Sequence, residues 1–219
     1  MIELGKKQTL LIVKSVEFGV YLAEDMNADT KHQVLLPAKQ VPAGKKDGDK
    51  IEVFIYKDSQ DRLIATMRQP KLMLGETGFL RVAQVSRIGA FLDWGLEKDL
   101  FLPFKQQTAP VKPGEQCLVT LYVDKSGRLC AYMKVYHFLR TDSSYQKDDK
   151  VEGIVYEISS NFGTFVAVDD CFSAMIPRKE PAEGTRVGDR ITARVTEVKE
   201  DGKLSLSLRE KAYVQMGED

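Results

Sequence analysis

Histidine and cysteine are scarce in this chain, with two and three respectively among 219 residues. His32 and His137 are far apart in sequence, and neither neighbours the cysteines or carboxylates that a metal site or a catalytic triad requires. The cysteines, Cys117, Cys130 and Cys171, cannot all pair within one chain and show no C-x-x-C spacing. A reduced, cytoplasmic setting is the expectation. No run approaches the ~18 apolar residues of a membrane span, so no membrane partner is expected. The opening MIELGKKQTLL lacks a long apolar core and a cleavage site, and no signal peptide is expected. No G-x-x-x-x-G-K phosphate loop occurs. The acid pairs Asp148-Asp149 and Asp169-Asp170 are adjacent, so in extended chain they point opposite ways and read as solvated loop acids. The chain is therefore expected to be no enzyme and to need no cofactor or metal.

An excess of charge of one sign is also missing. Lys plus Arg and Asp plus Glu both number 32. A nucleic-acid role must then rest on local patches. Residues 1–70 carry 11 basic and 10 acidic side chains, residues 71–140 carry 10 and 6, and residues 141–219 carry 11 and 16. The middle stretch is the most cationic and the last is anionic.

What the chain does have is a threefold internal repeat. Each copy has a glycine inside an apolar or aromatic cluster: Gly19, Gly89 and Gly163. Each has a proline after a short apolar run: Pro37, Pro103 and Pro177. Each has a glycine followed by an acid: Gly48-Asp49, Gly114-Glu115 and Gly188-Asp189. The proline-to-glycine interval is 11 residues every time. The first interval is 14 in copies two and three but 18 in copy one, which places a four-residue insertion in the polar stretch 24–31.

Within each copy, short Val/Ile/Leu/Phe/Tyr runs alternate with polar residues and are separated by turn signals. About five strands in about 65 residues suit a small closed barrel. The expected fold is all-β: three tandem five-stranded barrels, at 1–70, 71–140 and 145–210. Lys134–Leu139 is expected to be a short helical connector. Residues 211–219 are expected to begin a linker or tail, with a helix starting over Arg209–Met216. The first glycine of each copy is expected to mark a bulge or corner.

The Phe-Gly-x-Phe strand, the Gly-Asp turn and the closing Leu-Ser-Leu-Ser strand resemble the S1 RNA-binding domain, an oligonucleotide-binding (OB) fold. Copy three is the nearest match, through NFGTFVAV, VGDRITARVTEV and DGKLSLSLREK. The strings VLLPAKQVP, FIYKDSQDRLIAT and IGAFLDWGLEKDLFLPF resemble the conserved virulence factor B family of bacterial RNA-binding proteins. That resemblance covers nearly the whole chain. It implies three such barrels followed by a winged-helix domain, whereas this sequence stops at Asp219, just after the third copy.

The resemblance implies single-stranded RNA as the partner, bound by stacking on aromatic faces and by cations along the phosphates. The aromatics flanking the first glycine are Phe18 and Tyr21, Phe91, and Phe162 and Phe165. Ile88 stands at the first position of copy two. A bulge is expected to bring each pair to one face; the competing reading is that these rings fill the core. A basic residue follows each proline by two places, at Lys39, Lys105 and Lys179, with Arg178 beside the last. Another opens the fifth strand, at Arg62, Arg128 and Lys203, with Asp58 and Asp124 four residues upstream of the first two. Such an Asp would orient its Arg or accept a hydrogen bond from a base or sugar. The competing reading for these charges is solvated surface. Pro37, Pro103 and Pro177 occupy the neighbourhood where S1 domains often carry His. Trp94 either stacks on a base or packs between barrels. Cys117 and Cys130 read as core residues. The leading expectation is a non-catalytic regulator that binds single-stranded RNA across tandem barrels. The alternative is a scaffold that binds a protein partner.

Overall fold

The computed structural model describes residues 1–211. The first barrel comprises β1 (Lys7–Val16), β2 (Gly19–Ala23), β3 (Val34–Pro37), β4 (Lys50–Lys57) and β5 (Leu63–Thr66). The second comprises β6 (Thr77–Ser86), β7 (Gly89–Asp93), β8 (Leu100–Pro103), β9 (Gln116–Val123) and β10 (Leu129–Tyr132). The third comprises β11 (Lys150–Ser159), β12 (Gly163–Val168), β13 (Phe172–Pro177), β14 (Arg190–Val198) and β15 (Leu204–Ser207). Each group of five closes into a barrel, with the third and fifth strands paired in parallel and the other neighbours antiparallel. Closure removes the edges that a small open sheet would leave unpaired.

The three sequence landmarks have one structural meaning in all copies. The first glycine pairs with the proline: Gly19 with Pro37, Gly89 with Pro103, and Gly163 with Pro177. The backbone of the third strand passes so close there that a Cβ on Gly163 would sit 2.1 Å from the Ile176 carbonyl oxygen. The glycine also has φ +134°, which L side chains rarely adopt. The expected bulge at this glycine is corrected: the register shift lies in the first strand instead, between Ile12 and Lys14, Val82 and Gln84, and Val155 and Glu157. The glycine serves close approach, and the extra residue across the hairpin bends the long first strand around the barrel.

The second glycine docks just before that shift. Gly48, Gly114 and Gly188 donate to the carbonyls of Ile12, Val82 and Val155 at 2.7, 2.8 and 2.8 Å. The acid that follows caps its own turn. Asp49, Glu115 and Asp189 accept from the backbone N–H groups of Lys46, Lys112 and Arg186 at 3.0, 3.0 and 2.8 Å. A short acidic side chain at this place satisfies a donor that the tight turn leaves unpaired.

Alternate residues fill the barrels. Leu10, Ile12, Leu22, Leu36 and Ile55 are buried in the first, and Val155, Val166, Ile176, Val195 and Leu206 in the third. The barrels also pack on one another. Phe54 and Tyr56 of the first share a cluster with Trp94, Leu72 and the core of the second. Leu118, Val135 and Leu139 join Ile154, Tyr156 and Ala167 between the second and third. The expected helix over Lys134–Leu139 is a single 3-10 turn, Tyr136–Phe138, because Val135 and Leu139 are both drawn into that seam. The helix expected over Arg209–Met216 has not begun by Lys211, and the rest of that stretch and the tail lie outside the described residues.

Candidate nucleic-acid interface

The outward residues of each barrel form an equivalent girdle. Pairing aligns Lys14, Tyr21, Leu35, Ile64 and Tyr56 around the first barrel. It aligns Gln84, Phe91, Phe101, Cys130 and Tyr122 around the second. In the third the series is Glu157, Phe165, Met175, Ser205 and Glu197. An aromatic ring therefore stands outward at the same place on every second strand: Tyr21, Phe91 and Phe165.

The environments of these rings differ. On the first barrel Phe18 is 58% exposed and meets Tyr21 edge-on, with centroids 6.2 Å apart. On the second, Phe91 faces Phe101 at 5.4 Å, a tilted pair that offers two faces side by side. On the third, Phe162 is 64% exposed, while Phe165 turns to Tyr136 and Tyr156 at 5.5 and 6.0 Å. Phe165 thus serves the seam to the second barrel, and Phe162 stands in solvent.

The basic residues opening the fifth strands are each held differently. Arg62 donates from Nε to Asp58 at 3.0 Å, and its backbone N–H reaches the other carboxylate oxygen at 3.0 Å. Burial raises the Asp58 pKa, but the N–H groups of Arg62 and Gln60 and the guanidinium outweigh it and hold the carboxyl below its ordinary value. Asp124 caps its own loop through the N–H groups of Ser126 and Arg128 at 2.8 and 3.0 Å. Here too burial raises the pKa, and the Ser126 hydroxyl with these N–H groups lowers it further than burial lifts it. Arg128 instead reaches across to Asp61 of the first barrel at 3.3 Å. Lys203 donates to the Tyr136 hydroxyl at 2.8 Å and lies over its ring at 4.9 Å. That bond, with Asp201 next, raises the Lys203 pKa and keeps it charged.

Lys39, Lys105, Arg178 and Lys179 are exposed just past the third strands, and among the described residues none enters an ion pair. Arg178 and Lys179 flank an open groove of about 700 Å³ at one end of the third barrel. Trp94 is buried to 2% exposure and donates to the Lys98 carbonyl at 2.6 Å, so it packs between barrels. Among the described residues no group of three or more His, Cys, Asp or Glu is placed to hold a metal ion.

Sequence reasoning did not single out Phe101, Tyr122, Tyr132 or Phe138. Tyr122 stacks on Tyr132 at 4.6 Å and meets Phe138 at 5.9 Å. The signal for Phe101 was in the sequence: between buried Leu100 and Leu102, strand alternation sends it outward.

Comparison with known proteins decides the family. The S1 domain model matches residues 4–68 and 74–134, and the model for the second domain of virulence regulatory factor CvfB matches 136–210. The chain belongs to the conserved virulence factor B family. The uncharacterized protein YitL of Bacillus subtilis is 35% identical over 225 residues, covering 98% of this chain and 73% of that protein. Conserved virulence factor B of Staphylococcus aureus is 24% identical over 231 residues, covering 95% and 74%. A Streptococcus pneumoniae multidomain protein with nucleic acid binding domains has the same fold. It is 23% identical, with TM-score 0.58 over 96% of this chain and 75% of that one. Neither matched family model describes a catalytic domain. No described helix is long and apolar enough to cross a membrane.

Proposed function

We propose that this chain is a non-catalytic nucleic-acid-binding protein that binds single-stranded RNA across its tandem barrels and regulates gene expression after transcription, in the cytoplasm. One observation carries the reading. An outward aromatic ring and a basic residue opening the fifth strand recur together on all three barrels, on the face that OB folds use for oligonucleotides. The contact residues are Phe18, Tyr21, Lys39 and Arg62 on the first barrel, and Phe91, Lys105 and Arg128 on the second. On the third they are Phe162, Arg178, Lys179 and Lys203, with Phe165 packed against Tyr136 and Tyr156 at the seam beside them. Base stacking contributes about 1–3 kcal/mol per base and tolerates any sequence. Linkage of three modest sites raises the affinity of the whole. The S1 domain match, the nucleic acid binding domains named in the pneumococcal relative and the virulence factor names support this reading.

Fluorescence anisotropy of a labelled single-stranded RNA of about 20 nucleotides, titrated at low and at physiological salt, tests it. Binding that weakens as salt rises supports it. Absence of binding at both salts removes it and leaves the protein-scaffold reading.

A further inference from the structure

The first and second barrels enclose a cleft of about 330 Å³ that neither lines alone. Tyr56, Lys57 and Asp61 come from the first barrel; Phe91, Phe101 and Arg128 come from the second. The Trp94 seam fixes the distance between the two walls, because Phe54 and Tyr56 pack on the indole at 5.7 and 6.4 Å. One close approach and two polar contacts cross the cleft. The Lys57 ammonium lies beside the β9–β10 turn, where a Cβ on Gly127 would come 3.7 Å from Nζ. Lys98 of the second barrel donates to the Asp58 carbonyl of the first at 3.1 Å. Arg128 reaches Asp61 Oδ2 through both Nε and Nη2 at 3.3 Å.

We propose that this cleft is one bipartite nucleotide site. A base of the single strand packs on Phe91 and Phe101, and its phosphate takes the Arg128 guanidinium from Asp61, with Lys57 of the first barrel as the second cation. The proposal rests on the RNA reading above and adds that the first barrel completes the second barrel's site. Asp61 and a phosphate compete for the same edge of the same guanidinium. The pair is 62% and 44% exposed, and an ion pair so exposed is weak enough for a phosphate to displace. Lys57 has no ion-pair partner among the described residues, so its charge is available. The two first-barrel residues therefore act with opposite sign: Lys57 attracts the strand and Asp61 holds it off.

The test is anisotropy at several salt concentrations with a labelled single-stranded RNA of about 12 nucleotides. Lys57→Ser weakens binding about threefold and lowers the salt slope by about 1. Asp61→Asn tightens binding about threefold, and the gain disappears in an Arg128→Ala background. Thermal melts show that the variants stay folded. If Lys57→Ser and Asp61→Asn bind like the unaltered chain while Phe91→Ala binds less well, the second barrel works alone. The bipartite site is then overturned and the RNA reading stands. If the unaltered chain binds no RNA at any salt, both fall.

Discussion

Trp94 of the second barrel meets Phe54 of the first edge-on, with ring centroids 5.7 Å apart and planes at 81°. The indole is 2% exposed, and its N–H is satisfied by the Lys98 carbonyl, so the cost of burying it is met locally. Trp94→Ala empties this seam and destabilises the protein by about 3–5 kcal/mol. The first two barrels then unfold in separate transitions in urea, followed by circular dichroism. A single unchanged transition would mean that the seam contributes little.

Phe162 and Phe165 flank the same glycine yet are expected to answer truncation differently. Phe162→Ala removes a ring that is 64% exposed, so stability changes by less than about 0.5 kcal/mol. RNA affinity falls by about 1–3 kcal/mol if Phe162 stacks on a base. Phe165→Ala takes away a partner of Tyr136 and Tyr156 and destabilises the chain by about 2 kcal/mol. Thermal melts and anisotropy titrations, run on both variants, separate the two effects.

The thiols differ in their expected reactivity. Burial pushes Cys117 up to about 11, with Glu115 adding to it, and burial with the nearby Asp124 pushes Cys130 up to about 12. Cys171 is raised as well, again by burial first, but it is only half-buried. Thiolate content and access together set the rate. With Ellman's reagent at about pH 8, Cys171 reacts first, and Cys117 and Cys130 react at the pace of unfolding. Equal rates for all three in the folded protein would contradict this burial pattern.

Asp58 and Asp124 give a stability term with a defined pH window. Both carboxyls lie below their ordinary value of 3.8 in the folded chain. A carboxyl depressed on folding stabilises the native state at pH values above its unfolded pKa, and the term is lost as pH falls through the folded pKa. Asp58→Asn with Asp124→Asn therefore lowers the melting temperature at neutral pH. The difference from the unaltered chain closes as pH drops below about 4. A difference that persists undiminished at about pH 2 would assign the loss to the amide's altered hydrogen bonding instead.

The sequence by itself determined the threefold repeat, the five-strand texture and the OB-type barrel. These follow from local rules: alternation of apolar residues, glycine where a backbone passes within a Cβ's reach, and an acid to cap a tight turn. Gly163 and Pro177 are legible 14 residues apart because the antiparallel pairing of the second and third strands sets them opposite each other, as it does the equivalent pair in every copy. The tertiary structure decided where the bulge lies, since a register shift between Val155 and Glu157 leaves no composition signal of its own. It also decided which ring of the third barrel's pair is free. Phe162 and Phe165 look alike as strand residues, and only the packing of the third barrel against Tyr136 distinguishes them. The same holds for Arg128 and Asp61, 67 residues apart, which meet because a buried indole fixes one barrel against the next. Periodicity encodes which face a side chain takes, but the neighbour that covers that face is set by how whole barrels dock.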